Sequence, residues 1–521
     1  MSLSVSRLRK PVAIALVASI CVALVLSMGI GITSPAPDAT ITLSPNSGYG
    51  NTIVTVSGSG FTKSVTVGVY FAGMPVLSTW TGSDGSFSGK FIVPTDQDGE
   101  YVVSAVDRRG IKASTVFKVV VNPVLMDLED KLDELLGRLT GEILIGALLP
   151  LTGDLATFGE NEKAAIELAV AEVNELLFEA GAPWTLKVLF RDTQIKPDVA
   201  LTQLQGLFNN YGVQFVIGPL SSAEVRAIKD YANANEILVV SHGSTAPDLA
   251  IPDDFIFRFC GQDVAQRRAI ARLMYDDGKR YVIPVWRDDF WGNGLVNMTK
   301  TRFEELGGTF LEGIKYAPDE TDFSDEAMTL NDTVASAVGT YGADQVAVLH
   351  ISFEEVNAFM TACLAYPVLD DVEWYGSEGT CGSRAMLEDP IVRDFAMAVN
   401  YTCTMFSPTM SDKYAKVHDA LVAQLEREPD IYAYVAYDIV WALTYSLSIV
   451  NRYDSAAVKA VLPEVTESLF GASGWIVLNE AGDRARGDYD LWIIAEVDIG
   501  VYDWKHVGTW LYDTDSIIWL P

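Results

Sequence analysis

Ser221, Ser222 and Glu224 stand in the stretch VIGPLSSAE (216–224), where an apolar strand-like run ends at Gly-Pro and helical periodicity begins. A serine followed three residues later by glutamate is a capping box. Ser221 can close on an orphan N–H of the helix start while Glu224 closes the reciprocal bond. Ser222 is then the first helical residue, and its hydroxyl is not needed by the backbone of its own helix. Beside free N–H groups at the positive end of a helix, that hydroxyl suits an anion such as a carboxylate. The next strand end repeats the pattern. VVSHGSTAPDL (239–249) sets Gly243, Ser244 and Thr245 ahead of a helix start expected at Pro247 and Asp248. Two such starts on neighbouring strands can converge on one small anion, although capping alone also accounts for each.

Other chemistry is scarce. Five cysteines and four histidines in 521 residues are too few and too scattered for a zinc site, so neither metal nor cofactor is expected. The chain has no glycine loop ending in Gly-Lys-Ser/Thr, no Gly-x-Ser-x-Gly elbow and no histidine pair at ligand spacing. An enzyme is therefore not expected. A net charge of −32 argues against a nucleic-acid partner, which would call for basic patches. His242, beside the serines, is read as structural, with a pH-sensitive contact as the alternative.

The elements that must position the serines begin at Glu142. EILIGALLP, LKVLFRD, VQFVIGP and EILVVSHG read as strands, with NEKAAIELAVAEVNELL, PDVALTQLQGLFNN and AEVRAIKDYANA as helices between them. A second set begins at AIARLMYDD. This alternation is the signature of doubly wound parallel sheets with right-handed crossovers. About 380 residues is too much for one sheet, so an α/β domain over 142–521 with two lobes and a cleft is expected. Ligands bind such sheets beyond the carboxyl ends of the strands.

Upstream the texture changes. Arg7, Arg9 and Lys10 precede Pro11–Thr33, which carries no charge and is long enough to span a bilayer. The basic flank places the N-terminus in the cytoplasm and the rest outside, so residues 1–34 are expected to be a membrane anchor. Cleavage near Ser34, leaving a secreted protein, is the alternative; a lipid on Cys21 is disfavoured by the bulky Ile20 before it. Residues 36–122 read as a small all-β sandwich, with alternating strands TITLSP, TIVTVSG, VTVGVYFAG, SFSGKFIV, EYVVSAVD and STVFKVVV parted by turn residues. SPNSGYGNTIVTVSGSGF, GSDGSFSGKF and DGEYVVSAVD resemble the immunoglobulin-like modules of microbial surface proteins, and a spacer role is expected. LMDLEDKLDELLGRLTG, within 123–141, reads as a helical linker too short for a coiled-coil seam.

From Glu142 onward the chain resembles the branched-chain amino-acid-binding proteins of ABC importers. GALLPLTGDLATFGENEKAAIELAVAEVN, FRDTQIKPDVA, VIGPLSSAE, SHGSTAPDL and FRFCGQDVAQ carry the likeness, followed by VWRDDFWGNGL, WYGSEG, YVAYDIVWAL and LNEAGDRARGDYDLWII in order. The resemblance implies a type I periplasmic-binding, venus-flytrap domain with three hinge crossings. Lobe 1 is about 142–262 and 409–488, and lobe 2 about 263–408 and 489–521. It implies a solute receptor that serves a membrane permease. Ser222, Thr245 and the backbone at Gly243 or Ser244 fall where the family holds the ligand's carboxylate, and Glu378 falls where it holds the ammonium. These two ends are complementary to a zwitterion. Phe158, Trp291, Phe353 and Tyr434 fall at pocket-wall positions. Phe158, Trp291 and Phe353 replace frequent tyrosines, which favours an apolar, branched-chain amino acid. The alternatives are a short amide, urea or another small polar solute, or a ligand-sensing ectodomain. Outside the cell the cysteines meet an oxidising milieu, and Cys381 with Cys403 is the candidate disulfide. Asn297, Asn331 and Asn400 stand in N-x-S/T sequons, relevant only outside the cell.

Overall fold

The computed structural model of the chain describes residues 39–95, 97–120, 139–153 and 155–520. The apolar segment Pro11–Thr33 and the linker up to residue 138 lie outside these residues. Residues 40–119 form two sheets. Strands Thr40–Ser44, Ile53–Ser59 and Phe87–Ile92 make one; Ser47–Gly48, Lys112–Val119, Gly99–Asp107, Thr66–Phe71 and Met74–Trp80 make the other, in that order. Strand alternation turns Val54, Val56, Val69, Phe71, Phe91, Val103 and Phe117 inward as one core. Sequence alternation had revealed six strands. Met74–Trp80 escaped it because Pro75 interrupts the run and no residue along it is buried. Asp107 ends its strand buried, and its carboxylate accepts from the N–H groups of Thr62, Arg109 and Ile111, each at 2.9 Å.

The first lobe is built on five parallel strands in the order Trp184–Asp192, Gly141–Leu149, Phe215–Ile217, Leu238–Ser241 and Ile256–Arg258. Their carboxyl ends line up, which brings the loops after Ile217 and Ser241 side by side. The second lobe has a nine-stranded sheet. Its strands from Tyr281 to Phe406 run parallel, but Tyr489–Asp498, Val501–Leu511 and Ser516–Trp519 add on antiparallel. The second sheet is therefore mixed where a parallel one was expected. These last strands follow one another through short turns, with no helix to carry a crossover.

The chain passes between the lobes three times, after Arg258, after Phe406 and before Tyr489. Between the second and third passages, helices Asp412–Leu425, Ile431–Val450 and Ser455–Ser468 return to the first lobe, and Ile431–Val450 packs along Ala156–Glu179. That helix is long and apolar enough to cross a membrane, yet it is buried on nearly every side. It is the core helix of the lobe. The passages are laced together. Arg484 N–H donates to the Arg258 carbonyl at 2.8 Å and Ser407 N–H to that of Asp488 at 2.9 Å. The buried Arg258 guanidinium grips Asp483 with two bonds of 2.6 and 2.7 Å and donates to the Ala246 carbonyl.

Candidate functional site

The capping box is present. Ser221 Oγ accepts the Glu224 N–H at 3.3 Å, and Glu224 Oε2 accepts the Ser221 N–H at 3.0 Å and its hydroxyl at 2.7 Å. Ser222 differs from expectation. Its Oγ accepts the N–H groups of Thr245 and Ala246, both at 3.2 Å, and the Ser244 hydroxyl at 3.1 Å. The hydroxyl that its own helix leaves unused is used by the neighbouring loop, which folds over it. Ser241 Oγ likewise accepts the N–H groups of Gly243 and Ser244. The helix start expected at Pro247 is a single 3₁₀ turn, Pro247–Leu249. Pro252 pushes Ile251 out of the helical region and leaves no room for a second turn.

From the second lobe comes Glu378, just past the strand Glu373–Gly376 and buried. Its Oε1 accepts the Trp291 indole N–H at 3.1 Å and, across the cleft, the Thr245 hydroxyl at 3.3 Å. Its Oε2 accepts from Gln266 Nε2. Gly379 has to be glycine here, because a Cβ would come within 2.4 Å of the Ser352 carbonyl and 2.8 Å of Trp291. Trp291 and Phe353 stack with centroids 4.8 Å apart. Behind Phe353 the Arg287 guanidinium lies 4.0 Å from the ring centroid, held by Asp289 and Glu355 at 2.7 Å each. Phe158 and Tyr432 face them from the first lobe, 6.1 Å apart.

Together these groups surround a narrow cleft into which Phe158, Ser222, Gly243, Thr245, Trp291, Phe353 and Glu378 all converge. Two expected residues do not reach it. Ser244 lies beneath, bonded to Ser222. Tyr434 faces the other way, its hydroxyl 2.8 Å from His418 Nδ1 and its ring stacked on Tyr414. Tyr432, two residues earlier on the same helix, lines the wall instead. Two positions along a helix are about 200° around its axis, so the two rings cannot share a face. Leu155, Leu220, Ser221 and Gly379 complete the lining.

Sequence reading missed Asp263 and Gln266, the first and fourth residues of the helix Asp263–Asp276. Gln266 bridges Glu378 to the Thr404 hydroxyl, 3.2 Å away. Asp263 is fully buried, and neither oxygen accepts a well-formed hydrogen bond from a described residue. Burial and, after it, the charge of Glu378 hold the Asp263 carboxyl far above its ordinary range. Burial also raises Glu378, against the donors Gln266, Trp291 and Thr245. The DxxQ spacing was the available signal, since positions i and i+3 share a helix face.

His242 is buried away from the cleft wall, with Nε2 2.9 Å from Glu162 Oε1. Cys381 and Cys403 are buried free thiols in side-chain contact. No group of three metal-ligating side chains occurs among the described residues.

The sequence profile of the periplasmic binding protein family matches residues 142–359, and that of the IPT/TIG domain residues 40–119. An uncharacterized protein of Methanocaldococcus jannaschii is 32% identical over 396 residues, covering 72% of this chain and 91% of its own. Leu/Ile/Val-binding protein homolog 3 of Brucella melitensis is 28% identical over 362 residues, covering 67% and 90%. Among solved structures, a leucine binding protein of Thermotoga maritima aligns with a TM-score of 0.57 at 20% identity, covering 72% of this chain and 98% of that one. An R. palustris solute binding protein of an ABC transporter, in complex with 4-hydroxybenzoate, aligns with 0.58 at 17%, covering 72% and 98%.

Proposed function

The chain belongs to the periplasmic binding protein family, and we propose on that premise that it captures a free apolar amino acid between its lobes and delivers it to an ABC permease. The cleft's polarity carries this reading. One end offers the Ser222 hydroxyl, whose two lone pairs the Thr245 and Ala246 N–H groups and the Ser244 hydroxyl share and whose own proton is left to donate, at the start of the helix Ser222–Ala234. The other end offers the Glu378 carboxylate, and aromatic rings line the wall between. A zwitterion with an apolar side chain matches all three. The partners are contributed by both lobes, so solute favours the closed form by as much as it binds that form better. The proposal includes anchoring by Pro11–Thr33 to the outer face of the cytoplasmic membrane. N-terminal sequencing of a soluble form that starts near Ser34 would replace the anchor with a cleaved signal.

A thermal-shift screen of the full chain tests the reading. Leucine, isoleucine or valine should raise the melting temperature by mass action, and urea and acetamide should not. A panel of twenty amino acids without effect overturns it. The stacked Trp291 and Phe353 favour one second reading, a planar aromatic carboxylate, and 4-hydroxybenzoate in the same screen separates the two.

A further inference from the structure

Behind Glu378, at the polar corner of the cleft, a second carboxylate is buried, that of Asp263, where one ammonium group calls for one. Asp263 follows the first hinge passage directly and is fully buried, beneath the cleft wall and not on it. The Thr245 hydroxyl and the Trp291 N–H reach toward it, but both are directed to Glu378. The helix start beneath Asp263 favours a negative charge there. Even so, two ionised carboxylates side by side and out of water repel each other and have lost their hydration. No lysine or arginine lines the cleft among the described residues. The cation whose field reaches Asp263 is Arg258, already paired with both oxygens of Asp483. The other titratable neighbours are the thiols Cys260 and Cys381 and the phenols Tyr432 and Tyr489, and burial keeps all four neutral. The corner lacks one positive charge, and a proton or an ammonium group can supply it.

We propose that Asp263 and Glu378 act as one carboxylate pair that keeps a single proton in the unliganded protein and exchanges it for the ammonium group of the solute, so that capture of an amine releases a proton. This rests on the reading of the cleft as an amine-binding site. The carboxyl O–H bond breaks and its proton passes to water or buffer, while the solute enters already in its ammonium form, so charge and atoms balance. Asp263 is then a second determinant of specificity. It favours a cationic nitrogen over an uncharged amide, which has no charge to replace the proton. Burial holds both carboxyls above their ordinary range, against ionisation, which agrees with the shared proton.

Calorimetric titration of the full chain with L-leucine, in two buffers of different ionisation enthalpy, reads the exchange. Near pH 6 the wild type should release about one proton per leucine, and affinity should rise about tenfold per pH unit while that release persists. Asp263→Asn keeps the shape and removes the pair, so the buffer dependence should disappear. Leucine bound by the wild type without buffer dependence overturns the proposal. If leucine does not bind, 3-methylbutylamine probes the same corner without a carboxylate. Its binding with proton release upholds the exchange and removes the carboxylate half of the proposed function. Binding of neither removes both.

Discussion

In the amino-terminal module the buried Asp107 accepts three backbone N–H groups; in the cleft the buried Asp263 accepts no well-formed bond from a described residue. Burial pushes both carboxyls up. At Asp107 the N–H groups of Thr62, Ile111 and Arg109 outweigh it, and the carboxyl settles below its ordinary range. At Asp263 nothing outweighs it, and the carboxyl stays far above. The first arrangement holds a turn together. The second leaves the folded protein with an unfilled requirement, the condition under which an outside charge can bind.

The largest effect that sharpens the contrast is on binding. Glu378→Gln removes charge and keeps shape, and should weaken leucine binding by about 2–5 kcal/mol, roughly 30-fold to several thousand-fold. The melting temperature without solute should hold or rise. Calorimetry and a melt on the same preparation check both, and unchanged affinity removes amino-acid recognition. Asp107→Asn should do the reverse, lowering the module's stability by about 1–3 kcal/mol by leaving an N–H of its turn facing an amide, with leucine affinity intact.

The two sites also answer pH with opposite signs. Asp107, depressed in the fold, contributes stability above its unfolded value that is lost as pH falls through its folded value. Asp263 and Glu378, raised in the fold, contribute stability that is complete below their unfolded values and lost as pH rises through the folded ones. Scanning calorimetry without solute, between about pH 4 and pH 8, should show the binding domain's transition falling as the module's holds. Parallel slopes break the comparison.

Smaller effects mark the boundary between structural and solute-facing groups. Ser222→Ala should cost about 1–3 kcal/mol in both stability and leucine affinity, because it strips an acceptor from Thr245 and Ala246 as well as a donor from the cleft. Ser221→Ala should cost about 1 kcal/mol of stability as a lost cap. Tyr434→Phe should leave affinity unchanged, since its hydroxyl faces His418.

The sequence made the lobes and most of the cleft legible because strand ends and caps are local signals. Ser222 follows from a box four residues long, and Glu378 from the family resemblance that WYGSEG carries. What stayed hidden was set by tertiary contact. Tyr432 and Tyr434 could not be told apart because their helix is apolar on nearly every face, so its pattern carries no phase. The Ser222 hydroxyl looked free because its partners sit more than twenty residues away. Asp263 reads in sequence as an ordinary acidic residue in a first helical turn; its isolation arises only where the hinge delivers it beside Glu378.

The lacing of the three passages has a mechanical side. Arg258 ties the outgoing passage to the returning one through Asp483 and reaches back to Ala246, while Ser407 ties the middle passage to Asp488. The three passages are thereby fastened edge to edge. The binding domain begins at the strand Gly141–Leu149, within the first lobe, and Leu139 just before it is pinned by its N–H to Asn451 at 2.8 Å. The second lobe is joined to that body by the three laced passages.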